Sequence, residues 1–250
     1  MILRRLSEHV KAQNWFAVAL DFLIVVLGVF LGLQVNNWNE VRSSSRQEVV
    51  LIAQLADDLR SMRDSFIFAD AISQRTHDGW VAIFRALESC RPIEADPALV
   101  QYALARYQRT SQATVQRTAY DELTSLGMFS RLSDRELKDD VARLYAIIES
   151  DNQAALAGRT DQLAAGRIMW SSIAFSFASD SVERIDRDAG EFDSWVRAEF
   201  DPLDHCENLE LRGAVWEMVD LNRDWLIRSA TTVKEIDSLL QRLPPPESAS

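Results

Sequence analysis

Asp201, Asp204, His205, Cys206 and Glu207 gather more groups able to hold a metal or move a proton than any other short stretch of this sequence. Their spacing argues against both uses. His205 and Cys206 are adjacent, and adjacent residues cannot face one ion from a helix as ligands four apart do. Asp201-Pro202 reads instead as the start of the last helix, with acids favoured in its first turn. Elsewhere 8 glycines and 3 histidines build no phosphate-cradling loop, nucleophile elbow or paired-histidine metal helix, and His9 and His77 stand alone. Asp57-Asp58, Asp139-Asp140 and Asp186 with Asp188 read as solvated faces. The expectation is a non-enzymatic chain without catalytic residues, cofactor or metal. Cys90 and Cys206 could pair as a disulfide in an oxidising compartment or sit apart as buried small thiols, and spacing does not choose between these.

Asp21 is the other chemically loaded residue. It interrupts an apolar run over 16–35 that also holds Gly28 and Gly32 and is bracketed by Trp15 and Trp38. At about 1.5 Å per residue such a run spans roughly 30 Å, the thickness of a bilayer's hydrocarbon core, and interfacial tryptophans belong at its ends. A cleaved secretory signal would have a shorter core and small residues after it, whereas Leu33-Gln34-Val35-Asn36-Asn37-Trp38-Asn39-Glu40 is bulky and polar. Residues 15–38 are therefore expected to be a retained transmembrane helix. Arg4, Arg5 and Lys11 precede it and Arg42 and Arg46 follow, a bias that puts the N-terminus in the cytoplasm and the remainder in the periplasm. Residues 1–14 read as an interfacial helix on anionic lipid.

Asp21, Val25, Gly28, Gly32, Val35 and Asn39 follow spacings of four, three, four, three and four, so they share one stripe of the helix. Gly28 and Gly32 form a small-xxx-small notch for a second backbone, and an acid in lipid must be neutral, paired or hydrated. The expected partner is membrane lipid together with another membrane protein or a second copy of the chain. The plainer alternative has Asp21 reaching back to headgroups, with Asn36, Asn37 and Asn39 as polar residues at a membrane exit.

The elements that carry these residues read as helices. Net charge is −11, and the whole excess lies beyond residue 40, which keeps a domain soluble and makes nucleic acid an unsuitable partner. The 39–243 stretch is long enough for one sizeable core. Ile52, Leu55, Leu59, Met62, Phe66 and Ala69, continuing through Ile72, Trp80, Ile83 and Leu87, lay an apolar stripe along one long helix. A turn at 91–97 follows, with Asp96 capping a helix from Pro97 to about Thr110. A further helix covers 114–126, stopped by Gly127. Ser133-Asp134-Arg135-Glu136 is a capping box opening a helix that reaches Phe177 or beyond, bendable at Gly158 and Gly166, with an alanine-rich stretch over 154–165 for close approach. An acidic connector over 180–190 leads to a short helix and a last helix over 203–240. Trp170, Trp216, Trp225, Phe175 and Phe177 are expected to fill a core, while Trp195 could be exposed. Residues 244–250 are expected to form a disordered tail. The fold class is all-α: a transmembrane helix followed by a long-helix bundle with coiled-coil character.

Residues 22–40, above all Leu27-Gly28 and then Leu33-Gln34-Val35-Asn36-Asn37-Trp38-Asn39-Glu40, resemble the signature of a bacterial single-pass membrane family of unknown function. That family has an acid, usually Glu, at the position of Asp21 and a small residue at that of Gly32. A weaker similarity covers Ala119-Tyr120-Asp121-Glu122-Leu123 through Gly127 to Glu136-Leu137. The resemblance implies a membrane-anchored helical protein with no assigned activity.

Three function classes follow. The first is an interaction or scaffold subunit of an inner-membrane complex. The second is a proton-relay subunit resembling motor stators, with Asp21 as the relay; the soluble part lacks the mixed α/β or peptidoglycan-binding character of those proteins. The third is a periplasmic sensor of an unknown small ligand, signalling through a lateral partner because about fourteen cytoplasmic residues hold no output domain.

Overall fold

The computed structural model describes residues 15–107, 112–132, 134–177, 196–243 and 245. Helix α1 (Trp15–Ser89) is followed by α2 (Pro97–Ala105), α3 (Thr118–Ser125), a 3-10 turn (Phe129–Arg131), α4 (Arg135–Trp170), strands β1 (Ala174–Phe177) and β2 (Val196–Glu199), a second 3-10 turn (Pro202–Asp204) and α5 (Leu209–Leu240). The chain divides into two compact units, 1–51 and 52–250.

In the first unit every described side chain from 22 to 34 is exposed. Among the described residues no helix is long and apolar enough to cross a membrane. The described residues therefore do not support the expected transmembrane span over 15–38. The side chains of Trp15, 16–19, Asp21, 35–37 and 39–41 lie outside them, as do residues 1–14.

The second unit is built on α1, α4 and α5. Leu55, Leu59, Met62, Phe66, Ala69, Trp80, Ile83 and Leu87 are buried, so α1 carries the expected core stripe. Arg63 Nε donates to Asp237 at 2.5 Å, Phe66 lies 6.1 Å from Trp225, and Phe84 lies 5.2 Å from Trp216, a descending register that makes α1 and α5 antiparallel. Asp151 with Thr232 and Asp134 with Arg242 place α4 antiparallel to α5 in the same way.

Helix ends follow their sequence signals with shifts. Asp96 accepts from the Ala98 N–H with Pro97 at the first position of α2, which ends at Ala105 rather than Thr110. At the end of α1, Cys90 takes a left-handed φ of 51° and the Arg91 N–H donates back to the Ala86 carbonyl at 3.1 Å, a Schellman closure. Asp134 caps α4, its carboxylate accepting from the Leu137 N–H; Ser133, the expected cap, lies outside the described residues. The last helix starts at Leu209, not 203. Asn208 caps it by accepting from Leu211 at 3.0 Å, while Asp201 caps the 3-10 turn.

Two further readings are corrected. The fourth helix stops at Trp170, and the chain turns into an antiparallel pair in which Phe175 faces Ala198, so the helical fold carries one small hairpin. Ile173 and Phe175 point inward while Ala174 and Ser176 are exposed, a period of two too short to stand out beside a long helix. Phe175 stacks on Tyr107 at 5.2 Å and on Trp170 at 5.3 Å, and therefore packs from a strand. Of the aromatics expected in the core, Trp170 and Trp216 are exposed and Trp225 is half-buried, whereas Trp80 is 1% exposed. The acidic connector, Trp195 and the Phe177 side chain lie outside the described residues.

Candidate functional site

In the second unit α1, α4 and α5, with Arg106 after α2 and Gln112, Ala113 and Val115 before α3, leave a cleft of about 790 Å³. Its origin is a change of residue type at unchanged spacing. The core stripe of α1 runs Phe66, Ala69, Ser73, Thr76, Trp80, and on α5 Trp225 is followed by Ser229, Thr232 and Ile236. On α4 the buried Ile148 gives way to Asp151, Ala155, Gly158 and Gln162 before apolar packing resumes at Ala165. Small and hydroxyl-bearing side chains thus stand where the three helices would otherwise meet through leucines, and the space stays open. Sequence reading stepped from Ala69 to Ile72 and missed Ser73 and Thr76. The alternation of three and four places both on the core face, and that was the available signal.

Most polar groups of this layer are satisfied. Thr76 donates to the Ile72 carbonyl at 2.8 Å, and Thr232 to Asp151 at 3.2 Å. Gln162 accepts from Arg159 at 3.0 Å and donates to the Tyr107 carbonyl at 3.5 Å. Two are not: Ser73 Oγ and Ser229 Oγ, on residues each 1% exposed, have no hydrogen-bond partner among the described residues. An unmet buried hydroxyl costs roughly 1–3 kcal/mol, so a pair lining one cleft calls for a cause.

Aromatic and charged groups complete the wall. The Trp225 indole N–H donates to Asp70 at 3.1 Å, which holds the ring parallel to Phe66 at an interplanar angle of 8°. Arg106, Arg159 and Arg228 line the cleft against one carboxylate, Asp151. Arg228 is ion-paired with Asp224, and the Arg106 guanidinium lies 5.3 Å from the Tyr102 ring centre. At Gly158 an added Cβ would come within 3.0 Å of Leu221 Cδ2, so the alanine-rich stretch gives close approach there, while Ala154 and Ala155 face the cleft.

The residues singled out by sequence are distributed as follows. Cys90 and Cys206 are joined by a disulfide with a Cα–Cα distance of 5.2 Å, tying the end of α1 to the segment before α5. His205 stacks on Phe200 at 5.7 Å and, with Asp201 and Asp204, borders a separate hollow of about 700 Å³. Among the described residues no group of three or more His, Cys, Asp or Glu side chains could hold a metal ion. Asp58 is not merely a solvated face: its carboxylate accepts from the Ala119 N–H at 2.9 Å and holds the start of α3. Asp140 likewise binds Arg242, at 2.5 Å. Burial pushes the Tyr145 phenol up, with the nearby Asp58 charge adding to it, and its hydroxyl donates to the Gln116 carbonyl at 3.0 Å. Burial also raises Glu217, helped by Asp161 and Asp220.

In the first unit Gly28 and Gly32 face open space, with nothing within 4 Å of an added Cβ. Val25 is 62% exposed, and Trp38 is exposed with the Arg42 guanidinium 5.7 Å from its ring centre. Asp21, Val35, Trp15, Asn36, Asn37 and Asn39 belong to α1, but their side chains lie outside the described residues. Compared with known proteins, the chain matches no protein family, no curated protein and no solved structure.

Proposed function

We propose that this chain is a non-enzymatic single-pass protein of the bacterial inner membrane that serves as an interaction or scaffold subunit of a membrane complex. In this reading the N-terminus is cytoplasmic, residues 15–38 form the anchor, and the helical unit lies in the periplasm. The observation that carries the reading is the exposure of ten large apolar side chains over 22–33, from 48% at Val26 to 70% at Phe22. Each such side chain gains on the order of 1.5 kcal/mol or more on leaving water, and a continuous apolar surface of this kind belongs against lipid or another protein. The run extends through 16–35 in sequence to bilayer length, interrupted by Asp21, two glycines and Gln34 near its end.

Two further observations support it. A Cys90–Cys206 disulfide suits an oxidising compartment such as the periplasm. Gly28 and Gly32, open on their own side, suit close approach of a second helix on the stripe that also holds Asp21, Val25 and Val35. The test is crosslinking in native membranes followed by co-purification. Gly28→Leu with Gly32→Leu is expected to abolish the membrane-embedded crosslink while the chain stays in the membrane. An unchanged crosslink would reject lateral docking through this stripe.

A further inference from the structure

We propose that the cleft lined by α1, α4 and α5 binds a small neutral molecule, an apolar body that carries a hydroxyl or carbonyl oxygen. This goes beyond the interaction role and does not rest on it, since the cleft belongs wholly to the unit 52–250.

A hydroxyl inside a helix can satisfy itself by donating to the carbonyl four residues back. This chain does so repeatedly: Thr76 bonds Ile72 at 2.8 Å, Ser89 bonds Arg85 at 2.7 Å, Thr124 bonds Tyr120 at 2.8 Å and Thr231 bonds Ile227 at 3.1 Å. Ser73 and Ser229 forgo that bond. Each is 1% exposed, each lines the cleft, and neither hydroxyl has a partner among the described residues. Two different helices thus hold a hydroxyl out of its local bond at the wall of one space. The cost is roughly 1–3 kcal/mol apiece, and a ligand atom that hydrogen-bonds there relieves it.

The charged groups of the wall are already engaged. Arg228 is ion-paired with Asp224, Arg159 donates to Gln162 at 3.0 Å, Asp151 accepts from Thr232 at 3.2 Å, and the Arg106 guanidinium lies 5.3 Å from the Tyr102 ring centre. The unmet demand is therefore that of two neutral hydroxyls, each able to donate and to accept. An ionised ligand would lose its hydration with no charged group set aside to replace it, a far larger cost than that of a neutral oxygen.

Phe66, Ile148, Leu221 and Trp225 supply apolar surface for the body of the ligand. A volume of about 790 Å³ lies inside the range of small-molecule sites, about 300–1,000 Å³. Water alone would meet the hydroxyls and leave the aromatic wall wet, whereas an apolar body gains by covering it. A pure hydrocarbon would cover the wall and leave both hydroxyls unmet. A neutral oxygenated molecule does both.

The experiment holds the full chain in an amphipathic polymer, because a free detergent tail would compete for an apolar cleft, and titrates it by calorimetry against a polymer-only blank. The probes share one ring: 2-phenylethanol and acetophenone carry the neutral oxygen, ethylbenzene lacks it, and phenylacetate and 2-phenylethylamine are ions at neutral pH. Hexanol is added as the aliphatic alcohol, which separates an aromatic from an aliphatic body. Saturable binding of one neutral oxygenated probe per chain is expected, with ethylbenzene and both ions weaker by at least about tenfold. Ser73→Ala and Ser229→Ala are expected to weaken that probe by about three- to tenfold and not to weaken ethylbenzene. The ligand-free melting temperature of each variant should be equal or higher, because each removes an unmet hydroxyl. Equal affinity for 2-phenylethanol and ethylbenzene, an ion bound as tightly as the alcohol, affinity unchanged in both serine variants, or no saturable binding of any neutral oxygenated probe would overturn the proposal.

Discussion

The indole N–H of Trp225 donates to the carboxylate of Asp70 at 3.1 Å across 155 residues of sequence. The same ring lies parallel to Phe66, so one hydrogen bond fixes both the α1–α5 register and the aromatic wall of the cleft. Asp70→Leu removes the acceptor and leaves the indole unmet. Unfolding monitored by circular dichroism should show a loss of about 1–2 kcal/mol, with tryptophan emission altered in the folded state. Unchanged stability and emission would mean that the bond holds nothing in place.

The disulfide closes a loop of sequence separation 116 between Cys90 and Cys206. A loop on that scale lowers the entropy of the unfolded chain enough for a contribution of about 2–5 kcal/mol. Cys206→Ser should therefore lower the denaturation midpoint markedly, and reductant should lower the wild-type midpoint towards that of the variant. Equal midpoints for oxidised and reduced wild type would contradict the linkage.

Arg242, just past α5, reaches the start of α4, bonding Asp134 at 3.1 Å and Asp140 at 2.5 Å. The Asp134 carboxyl is held below its ordinary value, chiefly by the Leu137 backbone N–H and secondarily by Arg242. A depressed folded-state value means that the ionised acid stabilises the fold above its ordinary titration range near 3.8, and that this is lost as pH falls through the lower folded value. Asp134→Asn keeps an oxygen acceptor for the cap but cannot titrate. The variant should be less stable than wild type at neutral pH, with the gap narrowing as pH drops below 4 in acid titrations of unfolding. A gap independent of pH would argue against the charge.

Two glycines should respond to alanine with opposite signs. At Gly79 a Cβ would come within 2.6 Å of Ala103 Cβ and 2.7 Å of the Leu99 carbonyl oxygen, so α2 lies too close for any side chain. Gly79→Ala should cost roughly 1–3 kcal/mol through displaced backbone. Gly213 meets nothing within 4 Å, and Gly213→Ala should stabilise α5 by about 0.5–1 kcal/mol. Chemical denaturation of the two variants side by side checks both signs.

Long-range helix pattern was legible where large apolar residues recur, as from Leu55 to Ala69, because burial and periodicity report the same face. The cap at Asp96 was legible because a side-chain acceptor before proline has one structural use. The hairpin was not, since four-residue strands beside a 36-residue helix leave too short a period to read. The cleft was hidden for a different reason. Serine and threonine on a core face look like breaks in an apolar stripe when read along one helix, and become a polar layer only when tertiary packing brings Ser73 of α1 and Ser229 of α5 to the wall of one cleft, which no single segment encodes.

The central claim, that the apolar run near the N-terminus lies in lipid, is tested most directly by alkaline carbonate extraction of native membranes, with the full-length chain followed by immunoblot. The account predicts that the intact chain stays with the membrane pellet and leaves only on addition of detergent. Full-length chain recovered in the carbonate supernatant would contradict it.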